Sequence, residues 1–268
     1  MTLEHKGRGD PRRSMALLWR GKREPSRGPK PTLAIEQIIA AAVEIADGEG
    51  LGAVTMRRLA DRLSVGAMTL YTYVPGKAEL LDVMLDEVYG ETLDSIVSSG
   101  NWRERLEAQA RRDWELYRRH PWILQISEAR SLLGPNEIAL YESALESVAG
   151  LGLNGREMIS VVSLVTSYVR GAAQVAVDAA RVGEQTGVSD EQWWDEPAPI
   201  LDEYYELTRY PTLSSIDLEG AFDPTTNGVE YHLQLAIDSF EFGLQRVLDG
   251  IGAFINQRSV DPTFQPPL

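Results

Sequence analysis

Hydrogen-bond donors crowd the stretch between Thr55 and Lys77: the hydroxyls of Thr55, Thr69 and Thr72, the guanidinium groups of Arg57 and Arg58, the phenols of Tyr71 and Tyr73, and the Lys77 ammonium. Such a set grips a surface rich in acceptors; it does not make or break bonds. The rest of the chain supplies little for catalysis. With no cysteine there is no thiolate nucleophile, no disulfide and no Cys-based zinc site. His5, His120 and His232 are too scattered in sequence for a local metal motif. No nucleophile is paired with a base and no glycine-rich phosphate loop is present, so neither an enzyme nor a cofactor is expected.

The donors must be positioned by two short helices. Thr55 is a good N-cap for the first, in which Leu59 and Leu63 face inward four residues apart and Ala60 lets a second helix cross closely. Val65 and Leu70 give that second helix its apolar underside. Two short helices joined by a tight turn are what the DNA major groove admits, one lying in the groove while the other braces it. The turn position usually given to glycine is Ser64, with Gly66 two residues later. A positive φ at Ser64 would cost about 1 kcal/mol. A preceding helix over about Leu33 to Glu49, with Ile35, Ile38, Ile39, Ala42, Val43 and Ala46 on one face, completes a three-helix unit.

The flanks make the pattern specific. Ala40-Ala41-Ala42-Val43-Glu44-Ile45-Ala46, Val54-Thr55-Met56-Arg57-Arg58-Leu59-Ala60 and Leu70-Tyr71-Thr72-Tyr73-Val74-Pro75-Gly76-Lys77-Ala78-Glu79-Leu80-Leu81 closely resemble the DNA-binding domain of the tetracycline-repressor (TetR/AcrR) family over about residues 33 to 85. That resemblance places Thr55, Arg57, Tyr71, Tyr73 and Lys77 where family members touch DNA, chiefly its phosphates, which fix register without reading sequence. Reading of bases then falls to Gly66, Ala67, Met68, Thr69 and Thr72. These are small or apolar, which favours thymine methyls and shape readout. Arg58 has the longest polar reach. Core packing is the competing role for Tyr71 and Tyr73, and a solvated charge for Arg58 and Lys77.

The net charge of −14 is unevenly spread. Residues 1 to 30 carry nine Lys/Arg against three Asp/Glu, so the acidity lies beyond them. Four regions follow: a basic, flexible N-terminal arm over 1–32, a helix-turn-helix DNA-binding domain over 33–80, a helical ligand-binding and dimerisation domain over 81–257, and a tail over 258–268. The arm reads either as a backbone-tracking element or as an unstructured solubilising tail. A helix over about Ala78 to Ser98 would connect the two domains. The most apolar run, Ile159 to Ala180, is interrupted by Ser160, Ser163, Ser167, Arg170 and Asp178, which argues against a membrane span. Ala16 to Trp19 is too short for a signal-peptide core, so a cytoplasmic protein is expected. The whole reads as an all-α fold.

Helices over about 155–183 and 229–256 each carry two apolar stripes. On the first, Ile159, Val162, Thr166, Val169, Ala173, Ala176 and Ala180 form one, and Val161, Val165, Tyr168, Ala172, Val175, Ala179 and Val182 the other. On the second, Leu233, Ile237, Leu244, Leu248, Ile251 and Ile255 lie beside Ala236, Phe240, Gly243, Val247, Gly250 and Phe254. A helix apolar on two faces buries both, one in its own domain and one in a thicker core or a second subunit. The family resemblance favours a homodimer and hence a palindromic operator on double-stranded DNA. Trp114, Tyr117, Trp122 and Tyr168 are candidate lining residues for a small-molecule effector, with ordinary core as their alternative. The acidic, aromatic segment 190–205 hints at a cationic ligand. The function implied is a ligand-responsive repressor; an activator of the same fold and a sequence-indifferent DNA binder are the alternatives.

Overall fold

The computed structural model describes residues 4–20, 33–205, 209–222 and 229–260. The described residues fall into two compact units: one gathers those up to Arg170 with those from Arg246 onward, and the other runs from Gly171 to Gln245. This division does not follow the sequence-based boundary at 80/81, because a single helix runs through it.

The first unit is organised on that helix, α5 (Lys77–Gly90). Leu80, Val83, Met84, Leu85 and Val88 are buried, and so are Glu79, Asp82 and Asp86, which form an acidic stripe at helical spacing. Buried carboxylates must find donors. Asp86 accepts from the backbone of Asn136 and Glu137 at 3.1 and 3.0 Å, holding the first turn of α7 (Pro135–Val148). Asp82 and Glu79 are served by the N-terminal segment: Gly7 N donates to Asp82 at 3.0 Å, Ser14 Oγ to Asp82 at 2.7 Å, and Asp10 N to Glu79 at 3.1 Å. Burial still raises the pKa of both Asp82 and Asp86.

The expectation of a flexible arm over 1–32 therefore does not describe residues 4–20. They form a short strand, β1 (Glu4–His5), and a helix, α1 (Pro11–Leu18), that packs on α5. Asp10 caps α1, and Pro11 occupies its first turn, where the missing N–H costs nothing. β1 pairs in parallel with β2 (Ile126–Ser127). Two of the segment's five positive charges are spent internally: Lys6 on Glu137 at 3.0 Å, and Arg20 on Glu36 and Glu87 at 3.2 and 3.4 Å. Residues 1–3 and 21–32 lie outside the described residues.

The expected three-helix unit is α2 (Ile35–Glu49), α3 (Met56–Leu63) and α4 (Ala67–Tyr71). Ile38, Ile39, Ala42, Ile45 and Ala46 form the buried face of α2. α5 ends at Gly90, well before Ser98, because Thr92 and Ser95 turn their hydroxyls onto the carbonyls of Tyr89 and Thr92 and wind a short 3-10 turn over Leu93–Ser95. α6 (Trp102–Arg119) starts in a capping box between Asn101 and Glu104 and stops before Pro121. A 3-10 turn over Pro121–Gln125 then leads into β2.

α8 (Gly155–Thr186) and α12 (Tyr231–Val260) are the long helices. Within the first unit, Arg170 on α8 donates to the carbonyls of Ile123, Leu124 and Ile126 at 3.3, 2.9 and 2.7 Å, closing the 3-10 turn. Over Gly155–Gly183, α8 has the length and composition that a membrane-spanning helix also has, against the sequence reading of that run. α12 continues into the expected tail as far as Val260, and residues 261–268 lie outside the described residues. The second unit also holds α9 (Asp190–Asp195), α10 (Pro197–Tyr204) and α11 (Pro211–Leu218). Its Trp193 and Trp194 meet edge to face at 5.0 Å, both largely exposed, and Tyr205 stacks on Tyr210 at 5.6 Å.

Candidate nucleic-acid interface and ligand cavity

The local chemistry of α3 and α4 follows the sequence closely. Thr55 Oγ1 accepts from Arg58 N at 3.1 Å, capping α3. Ser64 adopts φ 55° and ψ 40°, the left-handed conformation that the turn requires. Leu59 and Leu70 are fully buried between the helices, and Tyr73 is half-buried. The opposite face of α4 is open: Met68 is 77% exposed and Tyr71 44%, with Gly66, Thr69 and Thr72 also exposed and Ala67 partly so. Thr72 Oγ1 donates back to Thr69 O at 2.6 Å, so its methyl is freer than its hydroxyl to meet a base.

Two predicted contacts are already engaged. Arg58 lies bidentate on Glu49 at 2.6 and 3.2 Å, an exposed pair that lowers the pKa of Glu49 through the Arg58 hydrogen bond and raises that of Arg58 through the same bond. The long reach expected of Arg58 is thus directed at α2. Lys77, at the start of α5, sits 3.5 Å from Glu4 Oε1 on β1. Arg57 is exposed and has no such tether among the described contacts.

A cavity of 710 Å³ opens in the first unit between α5, α6, α7 and α8, within the range of about 300–1,000 Å³ usual for small-molecule sites. Tyr89, Tyr117 and Tyr141 give it flat walls, Leu116, Ile138, Leu140 and Val162 apolar ones, and Lys6, Arg112, Asp113, Glu128, Arg130 and Glu137 its charges. Burial pushes the phenols of Tyr89 and Tyr117 well above their ordinary pKa, so both remain neutral donors. Burial likewise raises Asp113 to about 6, against the opposing pull of Arg112 and a hydrogen bond from Gln109.

Of the four aromatic residues proposed from sequence, Tyr117 lines this cavity. Trp114, Trp122 and Tyr168 do not border it. Trp122 is buried for another purpose: its Nε1 donates to Asp47 Oδ1 at 2.8 Å, and His120 Nδ1 meets the same oxygen at 2.8 Å. Asp47 belongs to α2, so this junction ties the three-helix unit to the turn that runs into β2 and on to Glu128 and Arg130 at the cavity. Sequence reasoning missed Asp47, His120, Lys6 and Arg112. The His120-Pro121 pair marks a helix end in the sequence but carries no sign of the partner, Asp47.

The model for bacterial regulatory proteins of the tetR family matches residues 38–84, and that for the tetracyclin repressor-like C-terminal domain matches residues 97–255. The chain belongs to the TetR family. Among its relatives, the HTH-type transcriptional repressor DrrR1 of Streptomyces coeruleorubidus is 41% identical over 258 residues, covering 96% of this chain and 91% of the relative. ActR of Streptomyces coelicolor in complex with actinorhodin is 26% identical, with a TM-score of 0.63 over 83% of this TetR-family chain and 96% of ActR. Apo ActR is 24% identical, with a TM-score of 0.62 over 85% and 99% of the two chains, a likeness of fold.

Proposed function

We propose that this TetR-family chain is a homodimeric, ligand-responsive repressor in the cytoplasm that binds a palindromic operator and is released by a small molecule. The observation that carries the reading is α4, a short helix whose outer face is exposed and small or apolar while Thr55, Tyr71, Tyr73 and Lys77 flank it with donors. That arrangement suits a rod in the major groove with its ends on the phosphates. The likeness to the transcriptional repressor DrrR1, at 41% identity, supports repression over activation.

A dimer accounts for the apolar side chains that the long helices leave uncovered. Ile159, Leu164 and Val175 on α8 are 48%, 50% and 59% exposed, and Phe242 on α12 is 66% exposed. Gly250, also on α12, has open space where a Cβ would stand, which leaves room for a close helix approach. Two such helices from each subunit would bury this surface and set the reading helices about one DNA turn apart, roughly 34–36 Å. The exposed apolar face of α8 then needs no lipid.

The ligand acts through its differential affinity for the two arrangements of the reading heads. Asp47, shared by Trp122 and His120, and α5, which runs from Lys77 to the cavity residue Tyr89, are the connections available. Selection of bound fragments from random DNA, followed by release with candidate aromatic ligands, tests the reading. A salt-resistant preference for one palindrome supports it. Uniform binding to all duplexes would instead make the chain a sequence-indifferent binder, and gain of transcription from a promoter carrying the selected site would make it an activator.

A further inference from the structure

Three of the six charged side chains around the cavity, Lys6, Glu128 and Glu137, are already matched. Glu137 accepts from Lys6 Nζ at 3.0 Å, from Ser131 Oγ at 2.6 Å and from Leu133 N at 2.8 Å. Glu128 takes Arg170 Nη1 at 3.1 Å. Lys6 is also held over the ring of Tyr89, 5.6 Å from its centroid. Arg112 is different. Its side chain is 9% exposed, its Nε is buried without a hydrogen-bond partner, and its nearest carboxylate, Asp113 Oδ1, stays 3.7 Å away, too far for a hydrogen bond.

A buried donor left without an acceptor is costly, and a guanidinium is suited to bind a planar oxyanion. A cationic ligand would have to compete for carboxylates that already have donors; an anionic one finds a donor unspent. We propose that the cavity takes an aromatic ligand bearing an anionic oxygen, of the carboxylate, phenolate or enolate class, and that Arg112 is the residue that receives this oxygen. The tyrosine walls accommodate the aromatic body. The proposal deepens the ligand-responsive reading and relies on it only for any consequence at the operator. It also parts from the cationic ligand suggested by segment 190–205, since the cavity's lining comes wholly from the first unit.

The test is equilibrium titration of the full chain, without DNA, against three naphthalenes of similar size followed by their fluorescence: 2-naphthoate, 2-naphthylmethanol and 2-naphthylmethylammonium. The expected result is naphthoate binding at least tenfold tighter than the other two. Arg112→Met should bring naphthoate down to the level of the alcohol and leave the alcohol unchanged, while Arg112→Lys retains part of the preference. Ammonium binding as tight as naphthoate, an unchanged naphthoate affinity in Arg112→Met, or no binding by naphthoate overturns the proposal. If Arg112→Met does not fold, Asp113→Asn decides: removing the countercharge should strengthen naphthoate binding several-fold, and an unchanged or weakened affinity refutes the assignment. Because no DNA is present, failure to find an operator sinks the repressor reading alone, and failure of these titrations sinks this one alone.

Discussion

Replacing Glu4 by glutamine removes the carboxylate that sits 3.5 Å from the Lys77 ammonium, at a pair whose side chains are 32% and 36% exposed. If Lys77 must leave Glu4 to reach a DNA phosphate, the pair is a cost of binding. Pairs this exposed are worth about 0.2–1 kcal/mol after screening. With one such pair in each subunit of a dimer, Glu4→Gln should tighten operator binding by about 2-fold to 30-fold, taking about 1.4 kcal/mol per factor of ten. Fluorescence anisotropy on a selected operator, from about 50 to 200 mM salt, reads both affinity and salt slope. Lys77→Ala should weaken binding and reduce the slope by about 0.9 per subunit, one released counterion each. In that background Glu4→Gln should gain nothing. Equal tightening with and without Lys77, or loosening by Glu4→Gln alone, would refute the reasoning.

Three further outcomes are expected. Ser64→Gly should raise stability by about 0.5–1 kcal/mol in urea unfolding, since left-handed strain of about 1–2 kcal/mol is relieved against the extra chain entropy of glycine; an unchanged midpoint would mean the turn stores no strain. Asp113 has a folded pKa near 6 against 3.8, so the folded state holds its proton more tightly, and stability gained at low pH is lost as pH rises through 6. Asp113→Asn should therefore stabilise the protein at pH 8 by about 2 kcal/mol, with about 3 kcal/mol as a ceiling at 1.4 kcal/mol per pH unit, and have little effect at pH 4; a uniform shift in thermal unfolding at both values would contradict this. Asp47→Ala leaves the Trp122 and His120 nitrogens without their acceptor and should cost about 1–3 kcal/mol in stability. It should also blunt ligand-driven release from DNA while sparing ligand binding, and retention of full release would remove Asp47 from the connection.

The helix-turn-helix was legible because its signals are local. The Thr55 cap, the inward-facing Leu59 and Leu70 and the Ser64 turn lie within a few residues of what they organise. The N-terminal segment was not legible, for the opposite reason. Its glycine, proline and arginine content reads as loop, while its order comes from Lys6 meeting Glu137 and Gly7 meeting Asp82, partners 131 and 75 residues away. The cavity fell between these cases. Aromatic content on α6 pointed to Tyr117, but Trp122 could not be told from a ligand contact without knowing that Asp47 waits 75 residues upstream. The acidic stripe Glu79, Asp82 and Asp86 was in plain view, and its burial makes sense only once the segment that satisfies it is folded against α5.

Lys6 precedes the reading head in the chain yet forms part of the ligand cavity's wall. Regulators of this type invite domain exchange, in which one sensor is fused to another protein's DNA-recognition module. A chimaera cut at a single point near residue 80 would carry residues 4–20 away with the discarded head and leave the sensor's cavity without Lys6 and Glu137 without its countercharge. Here the modular joint has two seams, and a working hybrid should keep the first twenty residues with the sensor and splice the foreign head between them and α5.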